Sequence, residues 1–177
     1  ALIPVTLLER SPETRAYAMD LSVPMIARAL ANVQRRGLSR RIALLLADAT
    51  GIPWEDDAFE VVMSNSIVHH IPEPQHIFRE LVRVTAPGGL LFVRDLARPA
   101  TDGEVAHLVG TYAAIPAEAQ GAERAMLERQ RGLFEASLRA ALRLEEVQAL
   151  VAPLGIPASA VRLTSDRHWT LAFTKGA

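Results

Sequence analysis

Apolar residues in this chain come in short runs that end on a polar or acidic residue, and between those runs they recur at helical spacing. The clearest run opens the stretch 59–71, Phe-Glu-Val-Val-Met-Ser-Asn-Ser-Ile-Val-His-His-Ile. An acidic turn (Glu55, Asp56, Asp57) precedes it, and Ser64, Asn65 and Ser66 break it. The pattern predicts a buried strand over about 59–64 that delivers a polar edge. Shorter runs at 15–19, 42–47 and 90–93 end on Asp20, on Asp48, and on Arg94 with Asp95. The wholly apolar 42–47 predicts a strand covered on both faces.

Helical spacing fills the intervals. Residues 1–10 read as the end of a helix closed by Ser11-Pro12, since proline cannot continue it. Ser22 suits an N-cap and Pro24 the first turn. Met25, Ile26, Ala29, Leu30 and Val33 then repeat as far as Arg36, and Gly37 stops the helix. Pro72 and Pro74 frame the entry to the next helix, with Ile77, Phe78, Leu81 and Val82 on its inner face, and Pro87-Gly88-Gly89 is read as a turn. Strands separated by helices of about three turns imply right-handed crossovers and a parallel sheet. Beyond Asp95 the periodicity predicts helices over 104–112, about 117–142 (with Gly132 inside) and 144–152. Residues 161–164 and 169–174 flank Ser165-Asp166-Arg167-His168 as an antiparallel hairpin at the sheet edge. The expected fold class is α/β, a doubly wound, mostly parallel sheet ending in an antiparallel hairpin.

Composition narrows the function classes. The length of 177 residues suits one domain, half the residues are hydrophobic, and the net charge is −1. That balance argues against disorder and against a nucleic-acid binder held by a general basic field. With no cysteine there is neither a disulfide framework nor a cysteine zinc site. No apolar run reaches the roughly 20 residues of a membrane helix, and the first residues lack signal-peptide character. The expectations are cytoplasmic residence and no membrane or nucleic-acid partner. Sequence does not set the oligomeric state.

Met19-Asp20-Leu21-Ser22 with Met25, then Ala47-Asp48-Ala49 with Ile52-Pro53-Trp54, then 59–70, and finally 80–93 with Arg83-Val84 and Pro87-Gly88-Gly89, follow one another in a telling order. In that order they resemble the class I S-adenosylmethionine-dependent methyltransferases, specifically the small-molecule, UbiE-like (type 11) branch. The resemblance is close over about 16–93 and topological elsewhere. It implies a Rossmann-like methyltransferase domain over 1–177: a cofactor-binding core (1–95), a helical substrate or lid region (96–152) and a hairpin completing the sheet (153–177). It also implies roles. Asp20 would accept from both ribose hydroxyls, Leu21 would lie on the adenine face, and Asp48 would accept from the adenine amino group beside the Ala49 backbone. Asn65 and Ser66 would meet the methionine half, and His69 and His70 would border the transfer site. The family's first strand and Gly-x-Gly loop have no counterpart in these residues. The expectation is an N-terminally truncated domain of poor stability and weak cofactor affinity.

Each residue has a plainer alternative. Asp20 alone is an ordinary helix-entry residue, Asp48 a loop cap, and Asn65 and Ser66 turn formers. One of His69 and His70 acts as a general base as methyl transfer proceeds, or one packs under the cofactor while the other is solvated. No Glu-x-x-His spacing supports a metal. Arg94 and Asp95 touch substrate or form a surface salt bridge. The expected activity is methyl transfer from S-adenosylmethionine to a small-molecule acceptor. The alternatives are a non-catalytic methyltransferase-like binding subunit, or a nicotinamide-dependent enzyme, which requires a glycine fingerprint.

Overall fold

The computed structural model describes residues 2–176. It divides into two compact units, Ala1–Trp54 and Glu55–Ala177.

The first unit is a two-layer α/β element. Helix α1 (Leu2–Arg10) precedes strand β1 (Ala16–Asp20), helix α2 (Val23–Arg35) and strand β2 (Ile42–Leu46); Ala1, part of the predicted first helix, lies outside the described residues. The strands pair in parallel, with Asp20 opposite Leu46. Val5, Leu8, Val33, Leu38 and Ile42 form the core. Gly37 ends the second helix as expected, in the left-handed region at φ 67°. Two expectations change here. Ser22 stands at the N-cap position, but its side chain makes no capping bond. Strand β2 is not covered on both faces, because only Ile42 is buried and Leu46 is 55 % exposed.

The second unit is a four-stranded sheet with helices packed on it. Strands β3 (Phe59–Asn65), β4 (Thr85–Leu96), β5 (Val161–Ser165) and β6 (His168–Thr174) lie in the order β3-β4-β6-β5. The first pair is parallel, and the predicted hairpin supplies both antiparallel neighbours. Helix α3 (Pro74–Val84) makes the crossover and buries Ile77, Phe78, Leu81 and Val84. Val82, expected inward, is only partly buried. Alternation along β4 turns Leu91, Val93 and Asp95 to the covered face. Helices α4 (Asp102–Tyr112) and α5 (Gly121–Ala140) close a satellite core around Leu96, Leu108 and Leu138. Helix α6 (Leu144–Val151) packs on α3 and β5. The long α5 runs through Gly132 unbroken.

Pro87-Gly88-Gly89 is not a turn before a short strand. It lies inside the twelve-residue β4, where the pairing with β3 slips between Phe59 and Val61. The slip is an irregularity of the bulge type, which absorbs extra residues without ending a strand. Gly88 has φ 75°. A Cβ on Gly89 would stand 2.8 Å from the Ala86 carbonyl oxygen and 2.9 Å from that of Glu60, so any side chain there forces the backbone to shift.

Candidate active site

In the first unit, β1 and β2 run side by side in parallel, so their carboxyl ends open in one direction. Asp20 is the last residue of β1, and its carbonyl accepts from the Ala47 amide at 3.2 Å, one residue before Asp48. The candidate acids thus sit at neighbouring strand ends, where open parallel sheets take their ligands. Asp20 is partly buried, and its Oδ1 accepts the Ser22 amide at 2.9 Å. Its other oxygen makes no hydrogen bond among the described residues. Asp48 is exposed and its Oδ1 takes both the Thr50 amide and the Thr50 hydroxyl, each at 2.8 Å. Those two bonds, the amide's first, hold its pKa below the usual carboxylate range. Asp48 is therefore a loop cap that still offers a charged oxygen. Leu21, 69 % exposed, presents an apolar surface beside Asp20, and Ala49 follows Asp48 in the loop. Tyr17 and Trp54 meet edge to face with ring centroids 5.2 Å apart.

In the second unit the polar end of β3 is built as the sequence suggests. Asn65 is exposed, closes the strand opposite Arg94, and donates to the Ser66 hydroxyl at 3.1 Å. Ser66 adopts φ 58° and is held there by its amide, which donates to the Arg94 carbonyl at 2.9 Å. A non-glycine residue in the left-handed region is uncommon and costs energy, and such strain concentrates at working sites. The chain then makes one 3₁₀ turn, Val68–His70.

That turn separates the two histidines. The His69 side chain is only 4 % exposed, and its Nδ1 lies 2.5 Å from Oδ1 of Asp95, itself 1 % exposed. His70 is exposed at the surface, with its ring against that of His69 at a centroid distance of 4.0 Å. Partial burial, then the neighbouring His69, holds the His70 pKa below that of a free imidazole against a smaller pull from Asp95. The expected surface pair of Arg94 and Asp95 does not form. Adjacent strand residues face opposite ways, and Asp95 points into the covered layer while Arg94 meets His168 Nδ1 at 3.2 Å.

Asp95 is the functional candidate that sequence reasoning misassigned. The available signal was alternation, since Leu91, Val93 and Asp95 share a face that the apolar residues require to be inside. Among the described residues, no three histidine, aspartate or glutamate side chains gather as a metal site.

Residues 3–93, just over half the chain, match the methyltransferase domain family. The chain belongs to that family. It is 30 % identical over 106 residues to methyltransferase GfsG of Streptomyces halstedii, covering 60 % of this chain and 38 % of that protein. It is 35 % identical over 82 residues to the demethylmenaquinone methyltransferase of Mycolicibacterium paratuberculosis, covering 46 % of this chain and 32 % of the relative. The chain thus spans well under half the length of these relatives. Among solved structures, an S-adenosylmethionine-dependent methyltransferase from Aquifex aeolicus shares the fold at a TM-score of 0.60 and 16 % identity. The likeness covers 96 % of this chain and 73 % of that one. The matched region of this methyltransferase domain contains all the candidate residues, from Asp20 to His70, and stops just before Asp95. Among the described residues no helix is long and apolar enough to cross a membrane.

Proposed function

We propose that the protein transfers a methyl group from S-adenosylmethionine to a small-molecule acceptor, as one domain with core, lid and hairpin over 1–95, 96–152 and 153–177, working in the cytoplasm. The observation that carries this reading is the parallel β1–β2 pair, with Asp20 closing β1 and Asp48 in the loop just beyond β2, each with a carboxylate oxygen still open. A nucleoside fits that set of acceptor oxygens. A ribose diol donates two hydroxyl hydrogens, which suit the free oxygen of Asp20; an adenine amino group donates to Asp48; and Leu21 offers an apolar face for the base. Ala49 supplies backbone beside Asp48. In the second unit, taken by itself, Asn65 and the strained Ser66 offer amide, hydroxyl and backbone groups of the kind an amino-acid moiety takes.

When bound, S-adenosylmethionine supplies a methyl group already activated by its sulfonium charge. The protein's share is to bind, to orient and to manage protons. His69 and His70 are the residues available for the last task, both on the turn after β3, and the lowered pKa of His70 keeps its ring in the neutral, proton-accepting form. Helix α5 packs against that turn, which supports a covering role for the helical region. The name of one relative, a demethylmenaquinone methyltransferase, favours a small acceptor.

Calorimetric titration with S-adenosylhomocysteine and, separately, with NAD tests this directly. Saturable binding of the first and none of the second is the expected result. Binding of NAD alone moves the protein to nicotinamide chemistry, and binding of neither leaves a methyltransferase-like partner-binding subunit.

A further inference from the structure

The overall charge of −1, which speaks against a polyanionic partner, hides a division between the two units. Residues 1–54 hold seven arginines and four acidic residues, whereas 55–177 hold twelve basic residues and sixteen acidic ones. Six of the seven arginines gather at one end of the first unit. Arg10 ends α1, Arg35 and Arg36 finish α2, Arg15 stands just before β1, and Arg40 and Arg41 stand just before β2. Hydrogen bonds tie these pieces together. The Ala16 amide donates to the Arg41 carbonyl at 2.9 Å. The Arg41 guanidinium donates to the Thr14 carbonyl at 2.9 Å and to that of Ser11, and Arg36 meets Glu9 at 2.7 Å. Arg36 is the one member with a carboxylate partner among the described residues. Arg35 donates to the Ala31 carbonyl and to Asn32, while Arg10, Arg15 and Arg40 make no hydrogen bond or ion pair among the described residues. All six but the partly buried Arg41 are exposed, and the acids in the same stretch are Glu9 and Glu13. A cation in the last turn of a helix answers the helix dipole. That accounts for Arg10 and Arg35, but Arg15, Arg40 and Arg41 lie outside any helix.

We propose that this end of the first unit docks on an anionic lipid bilayer. Guanidinium forks take phosphate oxygens in pairs, and a group of them without carboxylate partners attracts a surface that carries many phosphates. The apolar neighbours select the bilayer over a nucleic acid. On α1, Ile3 (45 % exposed) and Leu7 (39 % exposed) lie one turn apart on the face that runs on to Arg10. That face sets aliphatic side chains beside cations, as interfacial helices do. A single-stranded nucleic acid instead needs rings for its bases to stack on. The ring nearest these arginines along the chain, Tyr17, is met edge to face by Trp54. Both strands of the unit are five residues long, so their carboxyl ends, with Asp20 and Asp48, stand roughly 16 Å from the arginines. Docking therefore leaves that end uncovered. The proposal is independent of the methyl-transfer reading, since it needs neither cofactor nor acceptor.

Sedimentation of the unmodified chain with sucrose-loaded vesicles tests it. The chain is expected to pellet with vesicles of equal phosphatidylglycerol and phosphatidylcholine at low salt, and not with phosphatidylcholine alone. Raising the salt from about 50 mM to about 500 mM should weaken binding by about tenfold or more. Each cation near such a surface contributes about fivefold in affinity. Arg15→Gln combined with Arg40→Gln, neither of which has a partner to lose, should therefore weaken binding by about tenfold or more, with unchanged circular dichroism. Leu7→Ser should weaken it a few-fold and leave the salt dependence as it is. Arg129→Gln combined with Arg131→Gln, at exposed positions of α5, should bind like the parent. No pelleting with the anionic vesicles at low salt, equal pelleting with phosphatidylcholine alone, or an Arg15, Arg40 double variant that binds like the parent overturns the proposal. Binding of a single-stranded RNA or duplex DNA oligonucleotide in place of the vesicles also overturns it, and assigns the arginines to a nucleic acid.

Discussion

Ser66 shows how much a single residue carries. Its left-handed φ of 58° is held by one backbone bond to Arg94, and a side chain with a Cβ costs roughly 1 kcal/mol or more in that region. Ser66→Gly is expected to keep or raise stability by up to about 1 kcal/mol, and Ser66→Val to lower it by about 1–2 kcal/mol, because β-branching adds crowding. Urea unfolding checks both, and equal stabilities would show that the strain is illusory. The sequence made Ser66 legible as a polar strand end but not as a strained one, because strain comes from the Arg94 carbonyl on a strand almost thirty positions downstream. Asp95 was hidden for a related reason. Its neighbour Arg94 is the obvious ionic partner by adjacency, yet the pleat points the two side chains to opposite faces. His69, the partner it has, lies one strand and one helix earlier in the chain.

At the scale of elements, the strand–helix alternation, the crossover α3 and the terminal hairpin were legible because each has its own period and its own punctuation. Strand β4 was not fully so. Pro87-Gly88-Gly89 carries every local sign of a turn, and only the pairing with β3 turns it into an irregularity within a strand. Gly89→Ala is expected to cost roughly 1–3 kcal/mol, since the new methyl would meet two carbonyl oxygens at under 3 Å and neither belongs to a flexible side chain. Lys175, the sole lysine, is a staple. Its Nζ donates to the Val82 carbonyl at 3.0 Å, the Thr85 carbonyl at 2.8 Å and Asp57 at 2.7 Å, tying the end of α3 and the start of β4 to the acidic turn. Lys175→Met keeps the length and removes the donors, and a loss of about 1–3 kcal/mol in chemical unfolding is expected. No loss would mean that water serves those carbonyls equally well.

Over the whole molecule, two histidines set the response to acid. His70 and His168 both have pKa values held below the ordinary imidazole value, by burial first, and then by His69 for the former and by Arg94 and Arg167 for the latter. The folded state therefore binds fewer protons than the unfolded chain around and below pH 6.5, and stability falls as pH drops through that value toward the folded pKa. A series of thermal melts from pH 8 to pH 5 is expected to show this decline, and His70→Asn with His168→Asn to flatten it; an unchanged slope in the double variant places the sensitivity elsewhere. The sequence shows both histidines but neither the ring of His69 beside the first nor the two arginines around the second.

The central claim is that the open carboxylates at the ends of β1 and β2 hold one adenosine. Titrating S-adenosylhomocysteine into the parent chain, Asp20→Ala and Asp48→Ala tests it most directly. Charged hydrogen bonds of about 1.5–3 kcal/mol predict at least a tenfold weaker Kd in Asp20→Ala and a smaller loss in Asp48→Ala, whose carboxylate is shared with Thr50, both with unchanged circular dichroism. A parent that does not bind, or an Asp20→Ala variant that binds as tightly as the parent, contradicts it.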